Sequence, residues 1–173
     1  MPLIIEIKAK CAHPEKIRKI LEAQNANFIG IDHQIDTYFK VPNGRLKLRE
    51  GEIENHLIHY QRTNIAGPKK SKVLLFKSSP GSSLKSLLTA ALGIWTIVDK
   101  KRAIFFIGNV KFHIDEVKNL GSFVEIEAID EDGTIAESSL EEQCRHFMDL
   151  LGIQKEDLLE VSYSDLLVSP KRV

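Results

Sequence analysis

The chain has 173 residues, with 24 Lys and Arg balanced by 24 Asp and Glu. That balance excludes the broad positive excess of a general nucleic-acid or membrane-surface binder, so any basic site must be local and offset elsewhere. Hydrophobic and charged fractions of 43% and 28% are those of an ordinary globular protein, and the length suits one domain over residues 1–173 with a sizeable core.

The start, Met1-Pro2-Leu3, lacks the basic and apolar regions of a secretory signal. The first element is a strand, Leu3 to Lys10, whose alternation places Leu3, Ile5, Ile7 and Ala9 on one face and Ile4, Glu6, Lys8 and Lys10 on the other. Pro14, with Ile17, Ile20 and Leu21 at helical spacing, predicts a helix over about 14–25. Gln34 to Lys40 reads as a strand with Asp36, Tyr38 and Lys40 on one face, and Pro42-Asn43-Gly44 as a turn. Strands follow at 45–49, 57–62 and 72–78, then a helix with an apolar stripe of Leu84, Leu87, Leu88 and Leu92 that ends near Gly93. The tract Leu87 to Val98 is broken by Gly93 and too short to span a bilayer. Strands at 95–106, 109–117 and 122–129, joined by short turns, predict an antiparallel meander. Ser139-Leu140-Glu141-Glu142 has capping-box spacing and opens a helix to about Leu151; short helical turns at 155–159 and 164–167 close the chain. Cys11 and Cys144 make neither a disulfide framework nor a metal knuckle, and a cytoplasmic protein with reduced thiols is expected.

Charge is sorted by strand face. Arg45, Lys47 and Arg49 share a face, and like charges at two-residue spacing repel unless something negative lies over them. Arg62 joins Ile58 and Tyr60, Lys100 joins Arg102, and Lys101 has the opposite parity; Lys77 is a weaker member of the basic set. His113 and Asp115 share a face, as do Glu125 and Glu127. Carboxylates two residues apart on a strand stand roughly 6.5–7 Å apart, so both can reach one divalent ion or two neighbouring ones. For each face taken alone the plain alternative is a solvated strand. Taken together, the strands can close on their charged faces, with helices over the apolar outside. Such an interior is costly to desolvate, and a polyanion with a divalent metal would match both signs.

These residues resemble the CYTH superfamily, the triphosphate tunnel metalloenzymes. Glu6-Ile7-Lys8 matches the last positions of that family's first-strand signature Glu-x-Glu-x-Lys, with Ile4 in place of the first Glu. Arg45 to Glu50 resembles the basic strand, Asp99 to Arg102 the later basic strand, and Phe112 to Asp115 with Gly121 to Glu127 the acidic strand pair. Ser162 to Leu167 is similar to the end of class IV adenylyl cyclases.

The resemblance implies an α+β fold, a closed eight-stranded antiparallel β-barrel with helices packed outside. It implies a tunnel that takes a nucleoside triphosphate or inorganic triphosphate with Mg²⁺ or Mn²⁺. On this reading Lys8, Lys10, Arg45, Lys47, Arg49, Arg62, Lys100 and Arg102 bind the triphosphate. Glu6, Glu125 and Glu127, with Asp115 nearby, hold the metal, and no residue is assigned as catalytic base. Phe39, Tyr60 and Tyr163 are candidates for a nucleoside-binding mouth. The expected reaction is that of a class IV adenylyl cyclase, ATP to cyclic AMP and pyrophosphate. The alternatives are a triphosphate hydrolase of the tripolyphosphatase or thiamine triphosphatase type, and a non-catalytic polyphosphate or nucleotide-binding module, which Ile4 favours. No nucleic-acid or membrane partner is expected; a homodimer stays open.

Overall fold

The computed structural model describes residues 3–62 and 64–169. Eight strands and four helices follow in the order β1 (Leu3–Lys10), α1 (Pro14–Ala23), β2 (Asn27–Phe39), β3 (Arg45–Glu50), β4 (His56–Arg62), β5 (Lys69–Lys77), α2 (Leu84–Leu92), β6 (Ile94–Ile107), β7 (Val110–Val117), β8 (Gly121–Asp130), α3 (Glu137–Leu150) and α4 (Tyr163–Val168), with one 3₁₀ turn at Lys155–Asp157. The strands close into a barrel in the order β1-β5-β4-β3-β2-β6-β7-β8, and every pairing is antiparallel.

Strand alternation places the cores. The outward residues Ile5, Ile7 and Ala9 of β1, Phe112 and Ile114 of β7, and Val124, Ile126 and Ala128 of β8 form the main hydrophobic cluster with Ile17 and Leu21 of α1 and Leu140 and Cys144 of α3. The principal apolar core therefore lies between the barrel and its helices, leaving the barrel interior to polar side chains. A second cluster gathers Tyr38, Val98, Val117 and Phe123 around Tyr163 of α4, with Leu159, Leu166 and Leu167 packed against it.

The C-terminal segment closes one end of the barrel. Leu158 bridges to Ala9, the Leu159 amide donates to the Lys8 carbonyl at 2.9 Å, and Arg45 pairs with Asp165 at 2.9 Å. A true capping box starts α4, where the Ser162 hydroxyl accepts from the Asp165 amide and the Asp165 carboxylate accepts from the Ser162 amide.

Three expectations are corrected. The helix α3 starts at Glu137 after Ala136 with no side-chain cap, so the spacing at Ser139 is not a capping box. The strand expected from Gln34 begins at Asn27 and pairs with β6 from Asn27 to Phe39, a stretch in which Asn27 to Ile31 carry no clean alternation. Helix α2, expected to cover the barrel, has no buried residue, and Leu87 is exposed.

Candidate functional site

Inside the barrel lies a cavity of about 690 Å³ lined from all eight strands. Strand register explains its chemistry. Glu6 and Lys8 of β1 stand opposite Glu127 and Glu125 of β8, His113 of β7 stands opposite Glu125, and Arg102 of β6 opposite Asp115 of β7. Asp36 and Tyr38 of β2 stand opposite Arg49 and Lys47 of β3. Each pair shares an inward face, so alternation and register together line the cavity with cations and carboxylates, Glu6 and Glu127 meeting as two acids.

Two carboxylates anchor the ring. Asp36 accepts from Arg49 Nε and Nη2, both at 2.9 Å, from Lys47 at 3.2 Å and from Lys100 at 2.6 Å. Burial alone would raise its pKa, but Arg49, then Lys100 and Lys47, hold it well below the usual carboxylate range. Asp115 accepts a forked bond from Arg102 at 2.7 and 2.6 Å and the Tyr163 hydroxyl at 2.8 Å. Burial, then the neighbouring Asp115 and Glu125, push the Tyr163 phenol well above its ordinary value. It stays a neutral donor at the closed end, with the Lys8 ammonium 3.9 Å above its ring.

A third anion comes from a loop. The Glu54 carboxylate bonds Arg49 and Gln34 at 3.0 and 3.1 Å and pairs with Lys111. Its approach is set by Asp32, a fully buried carboxylate that accepts the backbone amides of Glu52, Ile53 and Glu54 at 2.7, 2.9 and 3.0 Å. Burial works against ionisation of Glu54, but Arg49 and Lys111, with His113, hold its pKa far below the normal range.

Glu125 bonds Lys8 at 2.8 Å, Arg102 at 3.0 Å and His113 Nδ1 at 3.0 Å. Burial would raise its pKa, but Lys8, Arg102 and His113 keep it well below the usual range. His113, Glu125 and Glu127 offer ligand atoms that all lie within 4.8 Å of one another. One imidazole and two carboxylates suit a divalent cation.

Lys100 differs from the other cations. Burial outweighs the attraction of Asp36, and Arg49, Arg102 and Lys47 add repulsion, bringing its pKa down to about 7. Asp36 offsets the burial only in part, being divided among three cations with Arg49 on both its oxygens.

Of the residues expected to bind triphosphate, Lys8, Lys47, Arg49, Lys100 and Arg102 line the cavity. Lys10 is exposed at the end of β1, outside the lining, and Lys77 is exposed as well. Arg45 stacks over Trp95, 4.7 Å from ring centre, and lines a smaller hollow of about 250 Å³ at the closed end. Arg62 ends β4, and its side chain lies outside the described residues. Glu6, Glu125 and Glu127 face the cavity, whereas Asp115 is taken up by Arg102 and Tyr163 and stands apart from the His113 group. Tyr60 and Tyr163 line the cavity towards the closed end, while Phe39 is buried outside the lining. Sequence reasoning placed Asp36 and His113 on strand faces without assigning them to the site, and it passed over Lys111, although each falls on an inward face by parity; Glu54, on a loop, gave no periodic signal.

A closed antiparallel barrel with a core outside and charges of both signs within defines a class of barrel with a charged central cavity. The chain belongs to the CYTH domain family, whose sequence model matches residues 3–163. Members of the family act on triphosphates as cyclases or triphosphatases and use divalent metal ions. Among solved structures the chain is similar to a Pyrococcus horikoshii protein, 23% identical with a TM-score of 0.79 over 94% of this chain and 98% of that one. It is similar to a candidate adenylate cyclase of Vibrio parahaemolyticus, 18% identical with a TM-score of 0.78 over 95% of this chain and 97% of that one. A third likeness is to a Hippeastrum candidate adenylyl cyclase described as having a dominant triphosphatase activity, 12% identical with a TM-score of 0.62 over 97% of this chain and 94% of that one. At these identities the likenesses speak for the fold. No curated protein sequence matches the chain. Among the described residues no helix is long and apolar enough to cross a membrane.

Proposed function

We propose that the protein is a metal-dependent enzyme that cleaves an organic triphosphate inside this tunnel, with hydrolysis as the first reading. The observation that carries it is the barrel cavity, whose wall gathers Lys8, Lys47, Arg49, Lys100 and Arg102 beside Glu6, Glu125 and Glu127; within it, burial lowers the pKa of the Lys100 amine to about 7. In its neutral form it can take a proton from water, and the resulting hydroxide attacks the terminal phosphorus as the diphosphate product leaves. Lys8, Lys47, Arg49 and Arg102 supply the charge that meets the phosphate oxygens. Glu125 and Glu127, with Glu6 alongside, would hold a divalent ion, which would supply charge neutralisation and Lewis-acid polarisation at the phosphates. The wall remote from Tyr163 is apolar, with Ile4 opposite Ile129 and Val73 and Leu75 adjoining, and this supports a substrate with an organic group over bare tripolyphosphate.

Adenylyl cyclisation is the second reading. The candidate cyclase among the structural neighbours supports it, and so does the same lysine, which can take the proton of a ribose 3′-hydroxyl aligned with the α-phosphorus. Incubation with ATP or tripolyphosphate and Mg²⁺ or Mn²⁺ separates the readings by product. Orthophosphate release from ATP, faster than from tripolyphosphate and rising with loss of one proton near pH 7, is the expected result. Lys100→Arg keeps the charge but cannot give up its proton near neutral pH, so it should remove that rise. Cyclic AMP with pyrophosphate establishes cyclisation instead. Binding without turnover leaves a binding module.

A further inference from the structure

The tunnel has an imidazole where its carboxylates converge. On β1 the inward places are Ile4, Glu6 and Lys8, so that strand brings a single acid to the cavity. The neighbouring strand β7 brings His113. Its Nδ1 lies 3.0 Å from Glu125 Oε2 and 3.7 Å from Glu127 Oε1. Its other nitrogen, Nε2, is buried with no hydrogen-bond partner among the described residues, and the residue is 1% exposed. The site is argued from Nδ1, the nitrogen that faces both carboxylates.

We propose that His113, Glu125 and Glu127 form a mixed nitrogen and oxygen site for a first-row transition dication, of the Mn²⁺ to Zn²⁺ class, in preference to Mg²⁺. The spacing fits. Donors about 2.1 Å from a shared ion stand about 3.0 Å apart at a right angle and about 3.4 Å apart at a tetrahedral one. The two distances from His113 Nδ1 bracket that range within ordinary side-chain adjustment. The ion would stand between His113 Nδ1 and Glu125, with the imidazole hydrogen on Nε2. Glu125 keeps its other oxygen on Lys8, and Arg102 keeps its forked bond to Asp115, so no cation is stranded. Mg²⁺ favours an all-oxygen octahedron and dehydrates reluctantly, whereas an imidazole nitrogen suits the transition dications. The nitrogen therefore sets the metal preference of the tunnel. This rests on reading the tunnel as a metal-dependent triphosphate site, and its test is independent of turnover.

The test uses the full chain stripped of metal, titrated with Mn²⁺ and with Mg²⁺ as competitor, with and without tripolyphosphate. Pulsed electron paramagnetic resonance of the bound Mn²⁺ reads directly coupled nitrogen. We expect a nitrogen coupling, altered by ¹⁵N-histidine labelling, and Mn²⁺ held at least about tenfold more tightly than Mg²⁺. His113→Gln should abolish the coupling and weaken Mn²⁺ by about 10- to 100-fold while changing Mg²⁺ little. Bound Mn²⁺ without nitrogen coupling in either condition overturns the proposal, as does an unchanged Mn²⁺ affinity in the variant. If His113→Gln does not fold, the isotope shift in the native chain decides alone. Nitrogen coupling with no tripolyphosphate or ATP binding keeps the metal site and removes the triphosphate reading. Triphosphate binding with oxygen-only Mn²⁺ does the reverse.

Discussion

Asp115 and Arg102 show how a single pair governs this interior. Removing one partner of a buried ion pair strands the other charge, which costs about 3–5 kcal/mol. Asp115→Asn should lower stability by that order at pH 7, since Arg102 would keep only the Glu125 bond at 3.0 Å. The pH dependence has a definite sign. The Asp115 and Asp36 carboxyls both titrate below their ordinary range once folded, despite burial, because of Arg102 in the first case and Arg49, Lys100 and Lys47 in the second. Stability from them is complete above the unfolded carboxylate pKa, near about 4, and is lost as pH falls through the depressed folded values. Denaturant unfolding from pH 7 down to about pH 3 should show native stability dropping steeply while the Asp115→Asn curve runs flatter, the gap closing in acid. Equal stability at pH 7 would make the pair dispensable. At this scale the inward parity of Lys8, Lys47, Arg49, Lys100 and Arg102 was legible, because alternation depends only on strand geometry. Which carboxylate each would meet depends on strand order and register, and strands far apart in sequence decide that.

The loop between β3 and β4 is the element that sequence reading passed over. It holds no periodic pattern, yet its backbone is fixed by three amides on Asp32, and Asn55 closes it by donating to the Gly51 carbonyl at 2.8 Å. Gly51 is required by space: an added Cβ would lie 2.7 Å from both Asp32 oxygens and 2.9 Å from the Glu54 carbonyl. Gly51→Ala should cost about 1–3 kcal/mol of stability, the usual effect of overpacking, and loosen Glu54 from Arg49 and Lys111. Faster amide hydrogen exchange at Glu52 to Glu54, with β6 to β8 unchanged, is the check. If exchange there stays slow, Asp32 is not what holds the loop. The regular elements were easier to read. The meander of β6, β7 and β8 announces itself through strict alternation and short turns. The first half of β2 did not, because Phe28, Ile29 and Ile31 are all exposed, so no face is marked by polarity. Helix α2 misled for the opposite reason: of its apolar stripe Leu84, Leu88 and Leu92 are only half-buried and Leu87 is exposed.

The whole molecule is a barrel turned inside out relative to an oil-filled one, with its main core outside the wall and its charges within. The apolar face of β1, β7 and β8 supplies stability against α1 and α3, and the interior is left to charged side chains. A ligand bound there stabilises the folded chain alone. A triphosphate with Mn²⁺ at about one hundred times its dissociation constant should add about 2.7 kcal/mol, and raise the melting temperature by roughly 5–10 °C for a chain of this size. Thermal unfolding with tripolyphosphate, ATP and Mn²⁺, singly and together, tests this. No shift with any combination would argue against a tunnel ligand of this kind.

The C-terminal segment also determines traffic. Ser162 and Tyr163 form a floor at one end, tied down through Lys8, Asp115 and Arg45, while Leu74 and Leu75 at the other end are each 56% exposed. Among the described residues, then, the Tyr163 end of the passage is the more closed one. If a triphosphate enters phosphate-first from the other end and is cleaved as proposed, the fragment cut off at the deep end lies behind the piece still in the doorway. Departure is then ordered by geometry, the outer piece first and the inner one last, so the inner fragment should be the stronger product inhibitor.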